Sequence, residues 1–250
     1  MNMQKYILEI CVDSVESAIA AEKGGATRLE LCQNLIIGGT TPSPKLFEAV
    51  RRAVEIPVHV LIRPRFGDFC YSNYEMEQIK EEIKMFQELG ADGIVIGILT
   101  PDGGIDRDRM ERLLEERGDM SVTLHRAFDV CPNPLKSLQI AKDLGIQTIL
   151  TSGQKDSCVE GADLLRELQK ESQGEIQIQA GGGVTPENLE TLFYQTGIRA
   201  WHMSAKARIE SRMKYRNPDV HMGIADISEY ILFQTSEEKV RQAAEILKRL

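Results

Sequence analysis

Apolar positions in this chain follow two alternating spacings, and their order predicts a parallel α/β fold. Short apolar runs such as Ile7–Val12 have the length of buried strands, and the stretches between them are patterned like helices. A phrase made of a helix end, a glycine and a short apolar strand recurs, with its glycine at Gly25, Gly90, Gly145 and Gly197. Glycine ends a helix at low cost because it tolerates the left-handed backbone conformation. The repetition therefore predicts a parallel sheet whose strands are joined by helices.

Strands and helices alternate strictly along the chain, eight of each. The predicted strands are Ile7–Val12, Arg28–Cys32, Val58–Arg63, Gly93–Leu99, Ser121–His125, Thr148–Thr151, Glu175–Ala180 and Arg199–Met203. Eight even units predict a closed (β/α)8 barrel, a TIM barrel, as a single domain over residues 1–250. We expect an irregular segment at 204–235 before a last helix at 236–250. A doubly wound open sheet is the alternative, but the first loop lacks its G-x-G-x-x-G motif.

The amino-acid composition limits the kinds of molecule that we expect the protein to bind. The 250 residues include 30 Lys and Arg against 38 Asp and Glu, a net charge of −8, which is a poor match to nucleic acid. There is no run of about 18 apolar residues, so we expect no membrane partner, and the residues before the first strand do not resemble a signal peptide. The five cysteines are widely spaced without a C-x-x-C pair. This pattern is typical of a reduced, cytoplasmic protein.

Polar residues gather where the predicted strands end, which is where such barrels hold their chemistry. Glu9 and Glu30 lie on neighbouring strands, and burying them is costly unless a cation such as Arg63 pairs with them. They form either a salt-bridged layer without chemistry or a cluster that binds and deprotonates a small molecule. Under the second hypothesis Glu9, Glu30, His125 and Asp129 are the candidate catalytic residues.

A glycine run after the seventh predicted strand indicates an anion site. Gly181–Gly183 stand just before a helix start at Thr185-Pro186, where backbone N–H groups are free to bind an anion. The alternative is that the glycines only form a tight turn. The candidate substrate- or anion-binding residues are Arg63, Arg65, Ser152, Gly181, Gly182, Gly183 and His202. An enzyme with this site would be a lyase or isomerase acting on a small phosphorylated or carboxylated carbonyl or sugar compound, without an organic cofactor.

Two of the cysteines stand in matching positions. Cys11 and Cys32 each follow a strand glutamate by two residues, which predicts matching register and sulfur atoms that converge at the top of the barrel. Two soft thiolates suit Cu(I) better than Mg²⁺ or Ca²⁺. The alternative is that each cysteine is a small buried hydrophobic residue.

These segments together resemble one known family, the CutC family of (β/α)8 proteins, which are called copper homeostasis proteins. The matching stretches are Leu8–Ser14, Arg28–Asn34, Gly38–Ser43, Ile62–Phe69, His125–Asp129, Leu150–Gly153, Gly181–Gly183, Tyr215–Pro218 and Met222–Gly223. The chain departs from the family at Gln179-Ala180, where Met-Pro is common. The resemblance implies a cytosolic, copper-binding barrel that forms a homo-oligomer, a dimer or tetramer, and Cys11 and Cys32 fall on the family's proposed copper ligands.

Three functions remain open on the residues alone. The chain is a Cu(I)-binding protein, an enzyme for a small anionic molecule, or an assembly subunit whose segment 204–235 packs on a second copy.

Overall fold

The computed structural model describes residues 6–217, 219–220, 222 and 228–250. Within them, eight parallel strands hydrogen-bond in chain order, and the first pairs with the eighth to close a barrel. The strands are β1 (Ile7–Val12), β2 (Arg28–Leu31), β3 (Val58–Leu61), β4 (Gly93–Ile96), β5 (Ser121–Leu124), β6 (Thr148–Thr151), β7 (Gln177–Ala180) and β8 (Ala200–Met203). The predicted (β/α)8 barrel is confirmed. Predictions for residues 1–5, Pro218 and Gly223 lie outside the described residues.

Helices follow the strands and surround the barrel. Those of the described chain are α1 (Val15–Gly24), α2 (Pro44–Ala53), α3 (Asn73–Glu88), α4 (Arg107–Leu114), α5 (Pro134–Asp143), α6 (Ala162–Glu171), α7 (Pro186–Thr196) and α8 (Glu237–Arg249). The glycines of the repeated phrase adopt the left-handed conformation that ends a helix, with φ of 98° at Gly25 and 72° at Gly197. The repeated sequence motif is thus a helix C-cap followed by a barrel strand.

The apolar core lies between the outer face of the barrel strands and the surrounding helices. Alternate strand residues such as Leu8 and Trp201 face the helices and are fully buried. On the helices, Phe47 and Phe86 meet edge to face with ring centroids 5.6 Å apart. No helix in the described part of the chain is both long and apolar enough to cross a bilayer. The other strand residues point inward, and many of them are polar.

The strands are staggered around the barrel. Glu9 of β1 lies opposite Arg28 of β2, and Cys11 lies opposite Glu30. The predicted matching register of the two Glu-x-Cys segments is therefore wrong by two residues. Closing a sheet into a barrel requires such a stagger, and the spacing of residues within each strand carries no information about it. The mouth of the barrel is the end where the carboxyl ends of the strands lie. Cys32 consequently stands one inward-facing layer nearer the mouth than Cys11.

The segment predicted to be irregular contains two strands. β9 (Lys206–Glu210) and β10 (Ile231–Thr235) pair antiparallel, and we call them the ribbon. The ribbon is anchored to the barrel where the Thr235 backbone N–H donates to Ser17 Oγ at 3.2 Å. It stands beside the mouth of the barrel, and its residues form one wall of a large cavity there.

Candidate functional site

A hydrogen-bonded network centred on Glu9 fills the middle of the barrel. The buried Glu9 carboxylate accepts from Arg28 Nε at 2.5 Å and from Gln179 Nε2 at 2.9 Å, and His202 Nδ1 lies 2.7 Å away. Burial by itself raises the pKa of Glu9, but Arg28 and His202 outweigh it and hold the pKa well below its usual range. Both oxygens of Glu9 are thus engaged. A salt-bridged layer is present around this residue, but its cationic partners are Arg28 and His202 and not the predicted Arg63.

Glu30 lies one layer closer to the mouth and is far less tightly held. Its Oε2 is 3.5 Å from His202 Nε2, so the imidazole sits between the two carboxylates. Burial raises the pKa of Glu30 to about 7, and Glu9 adds to the rise while His202 opposes it. Burial works against charging His202, but Cys11, Glu30 and Glu9 raise its pKa well above the usual value. Of the two predicted carboxylates, Glu30 is the one that lines the cavity at the mouth.

His125 is a neutral imidazole with a single defined tautomer. Its Nδ1 accepts from the Ala127 backbone N–H at 3.1 Å, which places the ring proton on Nε2. Burial and the nearby Arg63 lower the pKa of His125 to about 3. The ring fits because Gly97 faces it: a Cβ there would lie 2.6 Å from His125 Cε1. His125 therefore acts near neutral pH as an N–H donor, not as an imidazolium acid, and Nε2 is buried without a partner among the described residues.

The two predicted arginines have separate surroundings. Arg63 is buried and donates to three backbone carbonyls, those of Gly38, Gly39 and Gly67, at 2.8 to 3.3 Å. Its guanidinium also lies over the ring of Phe69, 5.1 Å from the centroid. Arg65 instead pairs with Asp68 and Glu75 in the loop before α3. Only Arg63 of the pair lines the cavity, so Arg65 does not share the site.

Asp129 organises the loop after β6. Its carboxylate accepts from Thr151 Oγ1 at 2.5 Å, from the Ser152 backbone N–H at 3.1 Å and from Arg126 Nε at 2.7 Å. Ser152 is fully buried, and its Oγ makes contacts with Asp129 and Lys155. These two predicted site residues are therefore engaged with each other and with neighbouring loop residues, although Asp129 borders the cavity.

The triple glycine forms a turn at the rim of a smaller cavity. Gly181 packs so closely that a Cβ would lie 2.6 Å from Leu150 Cδ1. Gly182 and Gly183 have φ of 82° and 84° and line a cavity of about 510 Å³ with Lys206 and His202. The three glycines are needed for the tight turn, and the anion site at this turn stays a prediction.

A cavity of about 1550 Å³, which we call the mouth cavity, lies between the strand ends and the ribbon. Its strand-end residues include Cys11, Glu30, Cys32, Arg63, His125 and His202. Most of the predicted site residues thus meet around one opening, as the fold class requires.

Cys11 and Cys32 pack together at the mouth despite their stagger. They share a small cluster with Leu61 and Val95, and both line the mouth cavity. Burial, followed by the nearby Glu30, raises the pKa of the Cys32 thiol well above its usual value. A second set of metal-ligating atoms, from Glu9, Glu30 and His202, lies within 4.8 Å of one another. The site thus offers soft sulfur donors beside oxygen and nitrogen donors.

The sequence analysis missed several residues of the site. Arg28 and Gln179 complete the Glu9 network, and Arg126 joins Asp129 to Ser152. Arg28 could have been found, because it shares the inward-facing parity of Glu30 on the same strand. Gln179 was noted only as a departure from the family pattern, yet it donates directly to Glu9.

A family model, two relatives and one crystal structure name the same family. Residues 6–207 match the sequence model of the CutC family. The chain is 44% identical over 246 residues to a human protein named copper homeostasis protein cutC homolog, covering 98% of this chain and 90% of that protein. It is 45% identical over 242 residues to a Porphyromonas gingivalis family protein CutC, covering 96% and 98%. A crystal structure named for the CutC copper homeostasis protein of Streptococcus agalactiae superposes with a TM-score of 0.77 at 33% identity, covering 80% of this chain and 98% of that one.

Proposed function

The chain belongs to the CutC family, and on that premise we propose that it binds Cu(I) through the thiolates of Cys11 and Cys32. The observation that carries the proposal is the shared position of the two cysteines. Both pack in one cluster and both line the mouth cavity, so a metal ion can reach the pair from solvent. Thiolate sulfur is the ligand type that selects Cu(I).

The oxygen and nitrogen donors nearby are the competing metal site. Ligation by Glu9 would require breaking its bonds to Arg28 and Gln179, which leaves a buried guanidinium unpaired. The cysteines break fewer contacts: Cys11 donates a long contact to Met203 O at 3.8 Å and lies beside His202, and Cys32 donates one to Glu30 O at 3.9 Å. Their cost is the loss of a thiol proton, which burial makes harder for Cys32, but no buried charge is left unpaired. Cu(I) is therefore assigned to sulfur in this proposal.

Titration of the reduced protein with Cu(I) against a competing chelator tests the assignment. We expect the double variant Cys11→Ser, Cys32→Ser to bind Cu(I) too weakly to compete with the chelator. The matched control is Cys131→Ser, a buried cysteine that donates to Ala127 O at 3.5 Å outside the mouth cavity, and serine can make the same contact. Unchanged affinity in the double variant would contradict the cysteine site.

We also propose a reduced, cytoplasmic location. All five cysteines are free thiols, and four of them are buried. A protein of a disulfide-forming compartment would be expected to pair at least some of them. Fractionation of cells that produce the protein, with marker proteins of each compartment, tests this location.

An enzymatic role is a second proposal, and Glu30 favours it. This carboxyl group shares the mouth cavity with the N–H donors of Arg63 and His125, whereas Glu9 has both oxygens engaged. A base beside such donors can remove a proton from a carbon next to a carbonyl, leaving the electron pair on the carbonyl oxygen. Exchange of the methyl protons of pyruvate for deuterium in D2O, followed by NMR, tests for this step. Exchange equal to that of the Glu30→Gln variant would contradict it.

A further inference from the structure

We propose that the mouth cavity binds a small organic carboxylate, held by the guanidinium of Arg63 and the Nε2–H of His125. The proposal is independent of copper, because neither residue contributes a sulfur ligand. It rests on two buried donors that the protein leaves without acceptors, and on a buried positive charge without a negative partner.

The guanidinium of Arg63 is a buried positive charge. The residue is 8% exposed, and in the described part of the chain it takes part in no ion pair. Its partners are three backbone carbonyls and the nearby Tyr71 hydroxyl, all of them neutral groups that do not cancel the charge of the guanidinium. Among the described residues, Nε has no hydrogen-bond partner of good geometry. A buried charge is costly unless it is paired. An anion in the cavity would supply the missing partner.

His125 supplies the second donor. It is 5% exposed, its Nδ1 accepts from the Ala127 N–H, and its buried Nε2–H has no partner within the described ranges of the chain. Buried polar groups normally find a hydrogen-bond partner, so an orphaned donor at the wall of a cavity indicates a missing acceptor. The ring is held in place by Gly97 on one side and by Phe69, with ring centroids 4.8 Å apart. A donor fixed in this way is preorganised for a ligand oxygen.

Phe69 places the two donors beside each other. Its ring contacts both the His125 imidazole and the Arg63 guanidinium, the latter 5.1 Å from the ring centroid. One charge and two free N–H groups match a monoanion with two acceptor oxygens, which is a carboxylate. A phosphate dianion fits less well, since it brings more charge and more acceptors, and Glu30 and Asp129 also border the cavity.

Copper-free protein labelled with ¹⁵N-histidine provides the test, with pyruvate as the carboxylate probe. We expect pyruvate to shift the His125 Nε2 resonance and to raise the melting temperature by a few degrees at saturating concentration. Pyruvamide, which lacks the charge, and inorganic phosphate are the comparison probes, and neither is expected to bind as pyruvate does. Preference for phosphate, equal binding of pyruvamide, or no response to pyruvate would each overturn the proposal.

Matched variants locate the binding. Arg63→Gln is expected to weaken pyruvate binding by about tenfold to a hundredfold, the usual loss for a hydrogen bond to a charged group. Arg65→Gln, which changes an arginine outside the cavity, should leave the affinity within about twofold. His125→Asn keeps an acceptor for the Ala127 N–H through an Asx turn but removes Nε2, and should also weaken binding. Because Cys11→Ser with Cys32→Ser should still bind pyruvate, this proposal and the copper proposal can fail separately.

Discussion

At the scale of single residues, glycines on and just beyond β4 decide where the histidines of the barrel sit. Gly93 lies against His59, and Gly97 lies against His125, with an added Cβ 2.6 Å from the imidazole in each case. A larger residue would push the ring away from its place. The positions of these polar side chains therefore depend on the absence of a side chain next to them, which a search for chemically active residues overlooks.

Replacement of Gly97 by alanine should disturb His125 without changing any charge. The added methyl group would also lie 2.7 Å from His125 Nδ1, so the ring must move and weaken its bond to the Ala127 N–H. We expect a loss of about 1–3 kcal/mol in the free energy of unfolding, the usual cost of overpacking. Urea denaturation measures it. Gly104→Ala is the control, because its Cβ would meet only Thr100 Oγ1 at 3.4 Å, and an equal loss there would contradict the steric explanation.

Copper affinity should rise with pH. Burial raises the pKa of Cys32 well above its usual value, so the thiol is protonated near neutral pH and must lose its proton when it ligates a metal. Each proton released makes binding up to about tenfold tighter per pH unit below that pKa. Competition titrations at several pH values, with the chelator's own pH dependence known, measure this slope. A Cu(I) affinity that is flat between pH 6 and 9 would argue against thiolate ligation.

At the scale of elements, local signals predict where strands and helices lie and in which order the barrel strands pair, but not the register of that pairing. The glycine phrase located the strand that follows each helix end, and β1 and β6 have the predicted bounds. The register of β1 on β2 could not be predicted, because it depends on how the whole barrel closes. The ribbon was missed for a related reason: β9 and β10 stabilise each other across about twenty intervening residues, and neither has a strong pattern alone.

The start of α3 offers a test of a local signal. Ser72 Oγ accepts from the Glu75 backbone N–H at 3.3 Å, and Glu75 Oε2 accepts from the Ser72 N–H at 2.7 Å, which is a capping box. Ser72→Ala should cost about 1 kcal/mol, or about 2–4 °C in melting temperature for a protein of this size. Calorimetry measures the shift. Ser72→Asp restores an acceptor and should recover most of the loss; if it does not, the cap is not the cause.

At the scale of the whole molecule, the fold can be predicted from the sequence, but the hydrogen-bond partners of each site residue cannot. Eight repeated units fix a barrel, and a barrel brings strand ends to one opening, so Glu30, Arg63 and His125 were correctly placed together. The sequence could not reveal that Glu9 is saturated by Arg28 and Gln179 while Glu30 is not. That difference depends on side chains from distant strands meeting inside the barrel.

Self-association of the barrel is expected to involve the ribbon. We propose a second copy as its partner because the ribbon exposes large apolar side chains at the mouth, with Leu232 53% exposed beside Phe233. Leu232→Glu should reduce association by placing charge in an apolar contact. Light scattering coupled to size-exclusion chromatography over a range of concentrations measures the mass. Tyr194→Glu, at an exposed aromatic on α7, is the control. A monomeric parent protein, or an oligomer unaffected by Leu232→Glu, would contradict a second copy as the partner of the ribbon.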